Sequence, residues 1–593
     1  MINIIFIFYF LMGRDTLPPQ VTGTFPTNDS TISPYYSTFV GFTQEMDSSS
    51  FDSSAIEIIS SSGNLPKIIR RKLIRNDSIL CIFVHDYWQP FDTIQVTIKG
   101  YVKGKNGLTL DGNGNGIPEG SPIDDYTFKF FTGDYGFLPI PKDSFPFHAF
   151  SDRTLPHPDL GNLMDINNDG NKEIIYTWVI PEGGGIKVGA IDKDAKLLPN
   201  FPVFLEGRWC NGLKPCAIAD LNGDKHYEII PNVASQQDFH TANFYIITSQ
   251  GNFFPNWPRT YHNDSLNFGP VLHETVICYD LDNDNDLEII FPVRPHYVFI
   301  FEKNGELWNN YPLIPEGELI CGMAIGDLNN DMVPEIIVHT AKLWCPVDTF
   351  IINVLEPDGT PFPNFPKKII ALTISHPVLG DINNDSFLEI IFCTTFYSYP
   401  NLYAIVHALN KEGNYLPGFP VTIIGENFFN SISLGDINGD TIPEIVATTG
   451  GQDWIPELYV IKGDGTILPG FPVTVPGNGA LYPPAIVDIN NDGKAEIVVT
   501  SEEGEEIPLP GFSNVYQILN QITIFSNTGN IIEGYPIVIP AITFNSPLID
   551  DIENDGYMDI TLAENGTIYS FTTPYTNYTL EWPLPYHDIH NTS

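Results

Sequence analysis

The stretch "DINNDGNKEII", Asp165–Ile175, sets Asp165, Asn167, Asp169, Asn171 and Glu173 at positions 1, 3, 5, 7 and 9 and then turns apolar. Alternate residues of a tight loop can turn their oxygens inward, with position 7 also offering its backbone carbonyl, as in loops that surround a hard cation. Like-charged carboxylates ~4 Å apart repel by about 1 kcal/mol in water and about 4 kcal/mol at an effective dielectric near 20. The pattern therefore predicts a cation cage anchored by the strand that follows it.

The same positions recur seven more times along the 593 residues. The sets are Asp220, Asn222, Asp224 and Glu228; Asp280, Asp282, Asp284, Asp286 and Glu288; Asp327, Asn329, Asp331 and Glu335; and Asp381, Asn383, Asp385 and Glu389. Asp436, Asn438, Asp440 and Glu444 follow, then Asp488, Asn490, Asp492 and Glu496, and finally Asp551, Glu553, Asp555 and Asp559. All eight sets are predicted metal ligands. Oxygen donors without a His or Cys set favour calcium over zinc, and the irregular geometry favours it over magnesium. A bidentate Glu at position 12 would mark an EF-hand; that position holds Tyr176, Pro231, Phe291, Val338, Phe392, Ala447, Val499 and Leu562, so the EF-hand is excluded. Position 6 needs a left-handed backbone but is Gly only at Gly170, Gly493 and Gly556. Lys225 and Met332 there predict strained, weaker loops.

Around each loop the order of parts repeats. A short apolar strand precedes it ("CAIAD", "PVLGD") and a β-branched strand follows ("EIIVHT", "EIVATT"). A third strand ends in a polar turn ("LYVIKGDGT"), and a fourth carries an aromatic-proline signature ("LPNFP", "LPGFP"). Repeats of roughly 50 residues built from four strand-like segments indicate propeller blades. The predicted fold is all-β, with eight four-stranded blades, or seven if one copy is peripheral.

At 42% hydrophobic and 17% charged residues the chain can bury extensive cores. Its 72 acidic against 28 basic residues, a formal charge of −44, repel phosphate backbones and argue against nucleic acid as a partner. Residues 1–14 contain a nine-residue apolar run, Ile4 to Met12, too short to span a bilayer and read as a signal-like segment. The expected location is therefore extracellular or cell-envelope, as a secreted monomer with no transmembrane span. Seven scattered cysteines form no disulfide framework, although Cys210 and Cys216 could close a small loop.

On the loops, the strands after them and their spacing, the chain resembles the FG-GAP/VCBS repeat proteins, the propeller family that includes the integrin α-subunit propeller. The resemblance covers roughly residues 148–590 and implies structural calcium in a loop joining the first two strands of each blade. Residues 15–134, with "PPQVTGTFPTND", "FVGFTQEMDSSSF" and "YTFKFFTGD", look like the bacterial surface-layer type Ig-like domain, a β-sandwich. Residues 135–150 read as a linker and 151–593 as the propeller. Within the sandwich, "LDGNGNGIPEG" sets Asp111, Asn113, Asn115 and Glu119 at the cage spacing, either a calcium site or a glycine-rich hairpin.

Insertions between the repeats are rich in aromatics and amides: Arg208 and Trp209, Phe239 and His240, Tyr261 and His262, Tyr397 and Tyr399, Asp453 and Trp454. Rings beside hydrogen-bonding groups suit a glycan or protein ligand on the loop-rich rim. The expected function is a non-catalytic binding or adhesion module. The alternative is a polysaccharide lyase of the rhamnogalacturonan lyase-like propeller type, for which His240, His262 and Arg208 could be enlisted. No nucleophile triad, phosphate loop or HExxH signature stands out.

Overall fold

A computed structural model describes residues 17–34, 36–66, 69–75, 77–84, 88–133, 142, 144–145, 147–148, 159–180, 185–206, 215–231, 241–262, 275–293, 295–308, 312–342, 348–398, 401–424, 432–449, 455–477, 483–507, 509, 515–539, 546–564 and 567–582. Apart from one short 3-10 turn, Ser48–Ser50, every regular element among these residues is a strand, and the protein is all-β. It divides into two compact units. One comprises Met1–Leu138, Glu503–Asn520 and Val538–Ala541; the other comprises Pro139–Glu502, Gln521–Ile537 and Ile542–Ser593.

The first unit contains two four-stranded sheets. One runs Val21–Phe25, Thr38–Phe42, Ile79–Val84, Ile69–Ile74; the other runs Thr31–Ile32, Tyr126–Thr132, Thr93–Ile98, Ile56–Ser60. Alternation along the strands sends Phe128, Phe130, Val96, Ile94, Val40 and Ile82 into one shared core, where Trp88 meets Phe130 edge-on at 5.6 Å. Phe39, Ile79 and Cys81 pack with Ile507 and Leu509, which come from far along the chain.

The second unit repeats one antiparallel sheet, its strands ordered in space as in sequence. Asp159–Met164, Glu173–Ile180, Gly185–Ile191 and Val203–Leu205 form the first. Leu319–Gly326, Glu335–Lys342, Thr349–Leu355 and Lys367–Ile370 form another, as do Ile432–Gly435, Glu444–Thr449, Glu457–Ile461 and Val473–Thr474. The second strand is buried on both faces, which is why "EIIVHTAK" (Glu335–Lys342) shows no alternation of polar and apolar residues. Sheet packs on sheet through clusters such as Phe244, Phe291, Phe299 and Phe301, with Phe244 4.9–5.1 Å from the other three rings.

First strands of successive sheets lie side by side, from Asp159–Met164 to Ala217–Ala219, Ile277–Tyr279, Leu319–Gly326, Val378–Gly380, Ile432–Gly435 and Ala485–Asp488. Asp159–Met164 also meets Leu548–Asp550 of the last sheet. That last sheet takes its fourth strand, Phe147–His148, from the opposite end of the unit, pairing it with Thr567–Thr576. This is propeller-type closure, in which the exposed edge of the last sheet is paired by chain from before the first. An additional strand, Thr579–Trp582, pairs with Ala485–Asp488.

The aromatic-proline signature lies just before the fourth strand rather than within it. Phe201, Phe365, Phe419 and Phe471 are buried there, and the following proline, which has no N–H for the ladder, begins the strand region. The polar turn after the third strand needs glycine where turns of neighbouring sheets meet. Gly465 has φ 79°, and a Cβ on it would lie 2.5 Å from the Gly418 carbonyl oxygen.

Candidate metal centre

Each acidic loop joins the first strand of a sheet to the second, and all eight share one set of hydrogen bonds. The position-1 aspartate accepts the backbone N–H groups of positions 5 and 6. In the first loop Asp165 takes Asp169 at 3.0 Å and Gly170 at 2.8 Å. Asp220, Asp280, Asp327, Asp381, Asp436, Asp488 and Asp551 do the same. The position-5 aspartate accepts the N–H of position 7, as Asp169 does from Asn171 at 2.9 Å, with Asp224, Asp284, Asp331, Asp385, Asp440, Asp492 and Asp555 following suit. Positions 4 and 6 are left-handed in every copy, for example Asn168 at φ 59° and Gly170 at 91°. Lys225, Met332, Ser386 and Thr441 adopt this backbone at φ 65–71° despite carrying a Cβ.

The position-9 acid begins the second strand in the first seven loops, is its third residue in the eighth, and is buried in all. Glu173, Glu335 and Glu389 are 0% exposed, and Glu228, Glu288, Glu444, Glu496 and Asp559 are nearly so. One oxygen of each accepts the N–H of position 2, as Glu335 does from Leu328 at 2.7 Å. Burial first, and the neighbouring aspartates second, push Glu173, Glu288 and Glu389 up to about 8 and Glu228, Glu335, Glu444 and Glu496 up to about 7. A buried acid facing two or three other carboxylates is a site that lacks positive charge.

Position 3 faces the buried acid. Asn167, Asn329 and Asn383 donate an amide N–H to the glutamate at 3.1, 3.0 and 2.9 Å, and Asn438 donates to Glu444. Asn222 instead accepts the Asp224 N–H at 2.9 Å, and the Asn490 backbone N–H goes to Asp488 at 3.3 Å. The Oδ1 atoms of Asn167 and Asn383 are buried without a hydrogen-bond partner. In the third loop, carboxylate oxygens of Asp280, Asp282 and Glu288 lie within 4.8 Å of one another. Converging carboxylate oxygens in the third loop, and an orphaned amide oxygen at position 3 of the first and fifth, are the hard donors that a calcium ion takes.

Two loops differ. At position 7 of the third, Asp286 pairs with Lys303 at 2.5 Å, so its carboxylate already has a cation. In the eighth, the Lys142 ammonium lies 2.7 Å from Asp559 and 3.3 Å from Glu553, with its side chain 7% exposed. Lys142 is invisible to spacing arguments because it comes from the far end of the unit. Three further acids escaped the pattern: Asp192, Glu302 and Glu356 begin the turn after the third strand and add negative charge beside Glu173, Glu288 and Glu335. Their signal was their shared place directly after that strand.

Adjacent loops are tied together. Tyr227 N–H donates to the Ile166 carbonyl at 3.0 Å and Lys172 N–H to the Ile552 carbonyl at 2.9 Å. The Asn330 side chain donates to the Ser386 carbonyl at 2.5 Å, and Asn283 reaches Met332 in the same way. A loop forced open by its own charge therefore disturbs its neighbours.

Of the rim residues, Arg208, Trp209, Phe239, His240, Tyr399, Asp453 and Trp454 lie outside the described residues, as does Cys210. Tyr261 packs edge-on against Phe299 at 4.9 Å, His262 Nδ1 lies 2.9 Å from Thr241 Oγ1, and Tyr397 is exposed. Tyr261 thus packs on a strand of the next sheet, and His262 is engaged within its own. No helix among the described residues is long and apolar enough to cross a membrane.

The FG-GAP-like repeat family matches residues 436–499, which hold the sixth loop, the three strands after it and the whole seventh loop with the strand before it. No curated protein sequence matches the chain. Among solved structures, the chain is similar to the V. cholerae biofilm matrix protein Bap1, at 12% identity and TM-score 0.34 over 74% of this chain and 91% of that one. It is also similar to the Bacillus licheniformis rhamnogalacturonan lyase PL11, at 11% identity and TM-score 0.30 over 94% and 90% of the two chains. A third similarity is to the quinohemoprotein alcohol dehydrogenase from Comamonas testosteroni, at 9% identity and TM-score 0.39 over 74% and 79%.

Proposed function

We propose that this chain is a secreted or cell-envelope β-propeller of eight FG-GAP/VCBS-type blades, preceded by an Ig-like domain, that uses calcium for stability and acts as a non-catalytic binding or adhesion module. The observation that carries the calcium reading is the buried acid at position 9, repeated in every loop opposite aspartates and, in most copies, without a lysine or arginine among the described residues to neutralise it. In the first seven loops the side chains at positions 1, 3, 5 and 9, with the position-7 carbonyl, would hold the ion. Calcium supplies there the positive charge that the carboxylates lack. In the eighth loop Lys142 fills that role. Lost glycines and partly exposed donors suit weak sites, which fill where calcium is millimolar, and this supports an extracellular location.

With the sheets held by their cations, the insertions between strands are free to carry recognition, and a glycan or protein ligand on that rim is the partner we propose. Two measurements test the reading. Chelation with EDTA should lower the melting temperature and calcium should restore it, because ions that bind only the folded state stabilise it. A glycan and protein-ligand array should give calcium-dependent binding. Unchanged melting after verified metal removal would reject the structural ion, and release of unsaturated sugar products from a polysaccharide panel would replace the binding reading with a lyase.

A further inference from the structure

The sandwich unit carries a loop that repeats the cage geometry outside the propeller. Asp111 Oδ1 accepts the Asn115 N–H at 3.1 Å, Asp111 Oδ2 accepts the Gly116 N–H at 2.7 Å, and Asn115 Oδ1 accepts the Ile117 N–H at 2.7 Å. These are the bonds made by positions 1 and 5 of every propeller loop. Gly114 at φ 73° and Gly116 at φ 85° supply the same two left-handed residues.

The ninth position breaks the pattern. Glu119 is exposed, and its Oε2 accepts the side-chain amides of Asn113 and Asn115 at 3.3 and 2.9 Å. Two acids are buried here, Asp111 at 1% exposed and, beyond the loop's ninth position, Asp124 at 0%. Its Oδ2 accepts the backbone N–H of Glu119 and, at 2.8 Å, that of Gly120, which fixes the carboxylate against the loop. Its Oδ1 is shut away from water with no hydrogen-bond partner. Gly112, position 2 of the loop, packs against Asp124 so closely that a Cβ there would lie 2.0 Å from the Asp124 carbonyl oxygen. Lys99, in the same unit, is engaged by Glu57 and Asp125. A buried, unpartnered carboxylate oxygen costs free energy unless something positive meets it.

We propose that Asp124 completes a divalent-cation site in the sandwich, with Asp111, Asn113 and Asn115 as its other side-chain ligands and calcium as the ion. The donors are all hard oxygens in an irregular loop, which suits calcium rather than zinc or magnesium. Asp124 takes the place that the position-9 glutamate holds in the propeller, and Glu119 is left at the surface. The site stands independently of the propeller loops.

The test uses the full-length protein, stripped by chelation and dialysed against calcium, with bound calcium per chain measured by atomic emission. Asp124→Asn and Asp111→Asn should each lose one equivalent relative to the wild type, and Asp165→Asn, in the first propeller loop, serves as the comparison. Wild-type stoichiometry in both sandwich variants would overturn the site. Loss in Asp124→Asn but not in Asp165→Asn would keep it and reject calcium in the first propeller loop; the reverse would reject the sandwich site alone. Because a variant can misfold, hydrogen exchange of residues 111–125 in the wild type is the second readout: calcium should slow it, and an unchanged rate in a protein that binds calcium elsewhere would also reject the site.

Discussion

Replacing Glu335 by Gln should stabilise the protein without calcium and lose that advantage with calcium. Glu335 is 0% exposed, and burial, with Glu356, Asp327 and Asp331 nearby, raises its pKa from 4.5 to about 7. A carboxyl whose folded pKa exceeds its unfolded one binds more protons in the native state between those values, so metal-free stability falls as pH rises from about 4.5 to about 7. The full difference corresponds to about 3 kcal/mol, an upper bound because the loop can relax. Glutamine keeps the acceptor for the Leu328 N–H, 2.7 Å from Glu335 in the parent. In EDTA at pH 8, Glu335→Gln should therefore gain up to about 3 kcal/mol, and the gain should vanish by about pH 4.5. In saturating calcium the wild type gains the stabilisation of one site, about 3 kcal/mol at an ion concentration a hundred times its Kd, so the advantage of the variant should fall to about zero. Urea unfolding followed by tryptophan fluorescence reads both. An equal gain in EDTA and in calcium would refute the idea that Glu335 is poised for a cation.

Other perturbations separate the parts of this account. Lys142→Met should cost about 3–5 kcal/mol in EDTA, since it strands Asp559 and Glu553 without a cation. Calcium should recover part of that loss and the bound ion count should rise by one; an unchanged melting temperature would show that Lys142 is not the eighth loop's cation. Thr441→Gly, at φ 69°, should stabilise by about 1 kcal/mol by relieving a left-handed β-branched residue, read as a higher melting temperature in calcium.

What was legible in the sequence was whatever local chemistry demands. Asp165, Asp169 and Glu173 could be assigned because a short loop brings them together whatever the rest of the chain does, and the strand "EIIVHTAK" because both its faces are buried. The aromatic-proline signature is legible as a recurring pattern, but its place just before the fourth strand is not, since the sequence does not show where the ladder begins. Lys142, Asp124, the strand Thr579–Trp582 and the Ile507–Leu509 packing were not legible. Each depends on a partner fixed by tertiary structure rather than by spacing. Asp124 lies nine residues beyond Asn115, and nothing in the pattern marks it as the buried acid in place of Glu119. Met332 and Thr441 illustrate the opposite case: the loop imposes a left-handed backbone on residues that do not favour it, because Asp327 and Asp436 hold the N–H at that position.

Diffraction from crystals grown in calcium, collected at a long wavelength where calcium scatters anomalously, addresses the central claim most directly. We expect anomalous peaks about 2.3–2.6 Å from the oxygens of positions 1, 3, 5 and 9 in the propeller loops, with none beside Lys142. Loops that show no peak in millimolar calcium, with Glu335 and its counterparts still buried, would contradict it.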